Sequence, residues 1–128
     1  MLARWHDLTP QQQVNFGNGC GPVWLPAFLT TFLFAWFFTA SCRRHDFAYV
    51  RGGNEADRKV ADVGFLTAML ADVAMAAVVY QPFLGLLAWV FYALVRLFGR
   101  HRFRYGRPLG LATILFYDSH RGFAENNT

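Results

Sequence analysis

The fold of this 128-residue chain is decided by the stretch Cys42-Arg-Arg-His45-Asp46-Phe-Ala-Tyr49-Val-Arg51-Gly-Gly-Asn-Glu55-Ala-Asp-Arg-Lys-Val-Ala-Asp62. The residues at its centre, 51 to 55, include two adjacent glycines, which break helices. The flanks predict two antiparallel helices, the first over about 39–50 and the second from 56 until Gln81-Pro82. Positions 45 and 62 are equally distant from the middle of this turn, so His45 and Asp62 face one another. Tyr49, four residues after His45, lies on the same helical face.

A carboxylate that faces an imidazole gives the histidine the arrangement of a general base. It fixes the tautomer of His45 and stabilises the imidazolium that forms when the other ring nitrogen takes a proton. The structural alternative is an ordinary hydrogen bond between two helices, with no catalytic role.

Asp46 points to a different face of the same helix, which suits it to bind a hard cation such as Ca²⁺. The preceding loop, residues 16 to 21, is rich in glycine, and its backbone could curl to offer several carbonyl oxygens. One carboxylate with neutral carbonyls makes a weak site, so we expect a Ca²⁺ affinity of roughly 10⁻⁴ to 10⁻³ M.

The rest of the chain is strongly apolar, with 55% hydrophobic and 18% aromatic residues. This composition excludes a disordered chain, and two cysteines exclude a scaffold built from disulfides. Two windows without a charged side chain, 8–42 and 73–95, reach the roughly 20 residues that a membrane helix needs. Gln81-Pro82 would kink or split a helix in the second window. An alternative reading is therefore a small integral membrane protein without enzymatic activity, with helices at about 22–40 and 73–95 flanked by Arg.

The predicted fold class is all-α, a small single domain whose helical hairpin packs against a third helix over 83–98. The catalytic core of the domain is expected over about 14–98, and residues 99–128 are expected to form a basic and apolar C-terminal extension. The apolar run 109–117 fits a strand or a helix equally well. Lys and Arg outnumber Asp and Glu by 12 to 8, and the arginines at 96–107 would be attracted to anionic lipid head groups. Nucleic-acid binding is not expected, because no recognition motif accompanies these charges.

The residues of the hairpin and the glycine-rich loop resemble the phospholipase A2 family, most closely its small prokaryotic branch. The resemblance covers residues 16–65, and three motifs carry it: Asn18-Gly19-Cys20-Gly21, Cys42-x-x-His45-Asp46 with Phe47 and Tyr49 following, and Asp62-x-x-Phe65. Members of the family hydrolyse the sn-2 ester of glycerophospholipids at a lipid surface. For this chain the resemblance implies a catalytic His45 oriented by Asp62, with Tyr49 in support. It also implies Ca²⁺ bound by Asp46 and by carbonyls near Asn18 and Gly19, and an oxyanion contact from the Gly21 amide.

The resemblance further implies a disulfide between Cys20 and Cys42, which would bring the loop to the helix; the many other disulfides of the animal secreted enzymes are missing. A continuous helix between the two cysteines would hold their Cα atoms about 33 Å apart, whereas a disulfide needs about 4.4 to 6.8 Å. A spanning helix over 22–40 and this disulfide therefore exclude one another. A hybrid stays open, in which only the region 73–117 anchors the enzyme to a membrane. In the enzyme reading, aromatic residues dip into the lipid head groups, among them Trp24, Phe28, Phe32 and Trp36.

We expect the protein to associate with a phospholipid membrane, with secretion or a periplasmic location left open. Residues 1–13 contain no apolar segment, so a secretory signal peptide is not expected in this chain. The sequence leaves the oligomeric state open.

Overall fold

The computed structural model of the protein describes residues 3–16 and 35–126, and those residues form helices and turns without a strand. The predicted all-α class is therefore confirmed. The α-helices are α1 (Pro10–Asn15), α2 (Thr39–Arg51), α3 (Glu55–Ala74), α4 (Gln81–Phe98) and α5 (Leu111–Asn126). Short 3-10 helices lie at Trp5–Asp7, Ala35–Phe38, Val78–Tyr80 and Gly99–His101.

The predicted turn between α2 and α3 is present and has a clear local cause. Gly52 and Gly53 adopt φ angles of 77° and 139°, which side chains other than glycine rarely adopt. Asn54 then caps α3, because its side-chain oxygen accepts a hydrogen bond from the amide of Asp57, whose carboxylate in turn accepts from the amide of Asn54. These three residues stop α2 and start α3, and the two helices run antiparallel.

The predicted extent of the second helix was wrong, since α3 ends at Ala74 rather than near Gln81-Pro82. Pro82 lies instead in the first turn of α4, where its missing N–H removes no helical hydrogen bond. Gln81 Nε2 donates to the carbonyl oxygen of Ala76 across the break, at 3.1 Å. The expected helix over 73–95 is thus split, and the long apolar segment runs from Val78 to His101.

The main core lies between α2, α3 and α4. Its buried side chains include Phe38, Cys42, Phe65, Met69, Leu84 and Ala88. A second cluster lies where the N-terminal residues and α5 meet α2, with Ala3, Leu8, Phe16, Phe47 and Ile114 buried. The opposite sides of α2 therefore serve two different cores.

The segment that follows α4 returns to the α2–α3 turn and is fixed there by backbone hydrogen bonds. The amides of Arg104, Gly106 and Leu109 donate to the carbonyl oxygens of Tyr49, Gly53 and Arg51, at 3.3, 3.0 and 2.8 Å. Phe103 is buried against Tyr49 and Ala61. The apolar run over 109–117, left open between strand and helix, is helical from Leu111 onward and forms the first half of α5. Part of the predicted C-terminal extension thus contributes to the packing around the hairpin.

Among the residues that the structure describes, one helical segment is long and apolar enough to cross a membrane. It is Val78–His101, 24 residues with a mean hydropathy of 1.8, and 11% of its most apolar window is buried inside the protein. Length and composition therefore agree with a membrane helix.

Candidate active site

His45 and Asp62 meet across the hairpin as the sequence predicts. His45 Nε2 lies 2.8 Å from Asp62 Oδ1, and the two side chains are 7% and 0% exposed. The Tyr49 hydroxyl group donates to the same oxygen at 2.6 Å. The one-turn spacing between His45 and Tyr49 on α2 aims both side chains at Asp62 on α3.

The second oxygen of Asp62 binds two arginines that the sequence analysis did not assign to the site. Arg96, from the last turn of α4, donates through Nη1 to Asp62 Oδ2 at 2.8 Å, and Arg58 Nη1 lies 3.5 Å from the same oxygen. A carboxylate offers about four acceptor positions, and here each faces a donor. Asp62 is therefore a positioning group, with no lone pair left for a metal ion or a substrate proton.

These contacts decide the ionisation of Asp62. Burial favours the neutral acid, but the hydrogen bonds from His45, Tyr49 and Arg96 together outweigh it and hold the pKa of Asp62 below its usual value. Burial, followed by the hydrogen bond to Asp62, raises the pKa of Tyr49 well above its usual value. At neutral pH the pair is therefore a carboxylate and a phenol, and the carboxylate accepts a hydrogen bond from His45 Nε2–H. Nδ1 of the neutral imidazole then carries the lone pair.

The imidazole ring is held between two aromatic side chains. It stacks on Phe65 with ring centroids 4.5 Å apart and an interplanar angle of 25°, and the Tyr49 centroid lies 4.2 Å away. Within the described ranges, His45 Nδ1 has no hydrogen-bond partner. These contacts fix the orientation of the imidazole ring, and with it the direction of Nδ1.

A second charged layer lies one turn before Asp62 on α3. Arg58 binds both carboxylate oxygens of Glu55, at 2.7 and 2.9 Å, and also donates to the carbonyl oxygen of Val95 at 3.1 Å. Tyr105 donates to Glu55 at 2.6 Å. The layer joins the start of α3 to the end of α4 and to the returning segment.

The pKa values follow from these contacts. Hydrogen bonds from Arg58 and then Tyr105 lower the pKa of Glu55 to about 2. The same hydrogen bonds to Glu55 raise the pKa of Arg58 and the pKa of Tyr105. At neutral pH this layer therefore holds Glu55 and Arg58 in their charged forms and Tyr105 as a neutral phenol.

Arg58 and Arg96 differ in how far the sequence indicates their place in the site. Arg58 precedes Asp62 by four residues and follows Glu55 by three, a helical spacing that could have revealed it. Arg96 lies 34 positions from Asp62, and its only signal is that it is the first charge after the uncharged window 73–95.

The predicted calcium site lies mostly outside the described residues. This holds for Asn18, Gly19, Cys20 and Gly21, and also for Trp24, Phe28, Phe32 and the side chain of Trp36. Asp46 is partly exposed on α2, next to His45. Within 3–16 and 35–126, no three His, Cys, Asp or Glu side chains form a group that could hold a metal.

The start of the predicted loop is nevertheless fixed beside α2. Phe16 is fully buried, and its ring contacts that of Phe47 edge to face, with centroids 5.5 Å apart. Phe47 directly follows Asp46. Cys42, the predicted disulfide partner of Cys20, is buried in the main core one turn before Asp46.

Comparison with known proteins adds no relative: no family model, no curated protein and no solved structure matches this chain. The resemblance to phospholipase A2 therefore rests on the quoted motifs alone.

Proposed function

We propose that this protein is a calcium-dependent phospholipase A2-like hydrolase, which cleaves the sn-2 acyl ester of glycerophospholipids at a membrane surface. One observation carries the proposal: His45 directs Nε2 to a buried, ionised Asp62 at 2.8 Å, and its Nδ1 has no hydrogen-bond partner among the described residues. General-base catalysis needs this combination, a basic nitrogen with a fixed direction and a counter-charge behind it.

The chemistry then follows from the chain's own residues. His45 Nδ1 removes a proton from a water molecule as the water oxygen forms a bond to the ester carbonyl carbon. The carboxylate of Asp62 stabilises the imidazolium. When the ester C–O bond breaks, Nδ1–H gives its proton to the glycerol oxygen, and the products are a fatty acid and a lysophospholipid. Tyr49 and Arg96 act through Asp62 and need not touch the substrate.

The placement of Asp46 supports the calcium part of the proposal. It follows His45 by one residue, so it lies about 100° around α2, between the face of His45 and the face of Phe47. Phe16 contacts Phe47, and each further residue adds at most about 3.6 Å of chain. In this proposal the carbonyl oxygens of Asn18 and Gly19, two and three residues after Phe16, join the Asp46 carboxylate in binding Ca²⁺. When bound there, Ca²⁺ would polarise the ester carbonyl and stabilise the oxyanion, together with the Gly21 amide.

A second candidate function is a membrane protein without enzymatic activity, and the exposed apolar segment Val78–His101 favours it. In that reading His45, Asp62 and the two arginines only hold the helices together. The two readings differ in whether replacement of His45 affects a chemical reaction or stability alone.

The decisive experiment measures fatty-acid release from phosphatidylglycerol vesicles by the full chain, with Ca²⁺ or with a chelator. A phospholipid with an ether at sn-1 and an ester at sn-2 reports the position of cleavage. We expect His45→Ala to lower the rate by ~10² to 10⁴-fold. Asp46→Asn should raise the Ca²⁺ concentration needed for half-maximal release.

The matched control is His6→Ala, since His6 is exposed on the N-terminal 3-10 helix. It should release fatty acid at the wild-type rate. Wild-type protein without calcium-dependent release, or a His45→Ala variant as active as His6→Ala, would contradict the proposal.

A further inference from the structure

The helices α3 and α4 form an antiparallel pair with two unlike ends. Arg96, in the last turn of α4, donates to Asp62, so the candidate site lies beside the C-terminal end of α4. At the opposite end the connection carries some of the most exposed apolar side chains that the structure describes, Met75, Val78 and Val79, each at least 78% exposed.

The outward face of α4 is apolar along its length. Its exposed large side chains include Leu86, Trp89, Val90, Leu94 and Leu97, between 44% and 66% exposed. A helix on the surface of a soluble protein carries polar residues on the side away from the core. A helix that is apolar on every side fits either a protein interior or lipid, and only 11% of the most apolar window in this segment is buried.

Cations mark one end of this surface. Arg100, Arg102 and Arg107 are exposed directly after α4, and Lys59 is exposed on α3 near the level of Arg96. Cations near the surface of an anionic bilayer are each worth about 1 kcal/mol of attraction. The surface along α4 is therefore cationic at one end and apolar over the rest of its length.

The length of the segment agrees with a bilayer. The 24 residues of Val78–His101 span about 36 Å at 1.5 Å per residue, against a hydrocarbon thickness of about 30 Å. Asp72 lies on α3 near the apolar end of the helix pair. It accepts a hydrogen bond from Ser41 Oγ at 2.6 Å. A hydrogen-bonded acid of this kind is compatible with a membrane location.

We propose that Val78–His101 inserts across a bilayer of anionic phospholipid, with the cations at Arg100–Arg107 among the head groups of one leaflet and the end at Met75–Val79 near those of the opposite leaflet. His45 and Asp62 then lie near the head groups, because Arg96 is about 6 Å along the helix axis from Arg100. This inference does not depend on the catalytic proposal, although it would hold the candidate site near the depth of phospholipid esters.

The test compares Val90→Arg with Val60→Arg in vesicle flotation. Both valines are exposed, but Val90 lies at the middle of the proposed span, whereas Val60 lies on α3 at the charged end. Full-length protein carrying His45→Ala is used in chelator, so that lipid hydrolysis plays no part. Vesicles of phosphatidylglycerol are compared with vesicles of phosphatidylcholine.

We expect the parent protein to float with phosphatidylglycerol vesicles and to stay bound in high salt and at alkaline pH. Val90→Arg should weaken partitioning on the order of 100-fold. Val60→Arg should bind as the parent does or about fivefold more tightly. Release of the parent by salt would overturn insertion, as would equal binding by both variants. A parent that stays off the vesicles and forms a dimer lost in Val90→Arg would assign the face to a second copy of the chain.

The depth of Trp89 in the bilayer provides a second test, which does not require the Val90→Arg variant to fold. Trp89 is retained as the only tryptophan through Trp5→Phe, Trp24→Phe and Trp36→Phe, and its fluorescence is quenched with lipids brominated at different acyl positions. Strongest quenching by bromines near the bilayer centre is expected. Strongest quenching by shallow bromines, or none, would show that α4 lies along the surface or off it, and would overturn the proposal.

Discussion

Gly99, the residue directly after α4, lies against the Tyr49 hydroxyl group that donates to Asp62. A Cβ atom at position 99 would overlap Tyr49 Oη and lie 3.1 Å from Cζ. The φ angle of Gly99 is −65°, which any residue adopts. Close approach, and not backbone conformation, is therefore the reason for glycine at this position.

The variant Gly99→Ala should push the Tyr49 hydroxyl group away from Asp62. We expect the free energy of unfolding to fall by about 1 to 3 kcal/mol, the usual cost of overpacking, and the rate of fatty-acid release to fall with it. Gly64→Ala on α3 is the control, because a Cβ there meets nothing within 4 Å. It should stabilise the protein by about 0.5 to 1 kcal/mol. Urea unfolding measures both, and equal stability of the two variants would argue against the Gly99–Tyr49 contact.

Asp62→Asn should be far more damaging than Asp72→Asn, although both acids lie on α3. An amide in place of the Asp62 carboxylate removes the buried negative charge that faces Arg58 and Arg96, whose other anionic partner, Glu55, is 56% exposed. The expected loss of unfolding free energy is about 3 kcal/mol, and the expected loss of rate is ~10² to 10⁴-fold. At Asp72 the amide oxygen still accepts from Ser41, so stability and rate should change little. A stable, active Asp62→Asn variant would remove Asp62 from the proposed mechanism.

The stability of the protein should depend on pH through Asp62. Its pKa is lower in the folded than in the unfolded protein, so its contribution is complete above about pH 4 and is lost as pH falls through the folded pKa. Tyr49→Phe removes one of the hydrogen bonds that lower this pKa. The loss should therefore begin at a higher pH and have a smaller total amplitude.

Denaturant unfolding between pH 7 and pH 2 measures this difference, with Tyr117→Phe as the control because the Tyr117 side chain is exposed. Glu55, whose pKa is lowered to about 2, contributes in the same direction in all three proteins. The comparison with Tyr49→Phe therefore reports on Asp62. Identical pH profiles for Tyr49→Phe and the wild type would contradict the role given to Tyr49.

The disulfide can be tested directly, since the chain has only Cys20 and Cys42. Peptide mapping by mass spectrometry without reductant should find the two joined, and reduction should cost about 3 kcal/mol of stability. Two thiols that alkylate in the oxidised, unfolded protein would contradict the pairing and weaken the case for a loop held beside Asp46.

The part of the site predicted correctly from sequence depends on local information. A tight glycine turn fixes the level of two antiparallel helices, and the helical period then fixes which side chains face each other. His45, Tyr49 and Asp62 all follow from these two rules. The helical period also places Arg58 one turn before Asp62, but the sequence analysis did not assign it to the site.

The remainder depends on packing between distant segments. Arg96 and Gly99 join the site only because α4 packs along α3, and no spacing in the sequence encodes that contact. The end of α3 was misplaced for a related reason: residues 74–77 contain neither Gly nor Pro, so nothing local marks the break, and Pro82 looked like a stop although it begins α4.

Asp62 stands on α3 and accepts hydrogen bonds from α2 and from α4. None of the three helices can separate at this level without leaving an ion or a polar group unpaired in the interior. Their backbone amides near Asp62 should therefore exchange with deuterated solvent as a single cooperative unit, protected by one common opening free energy.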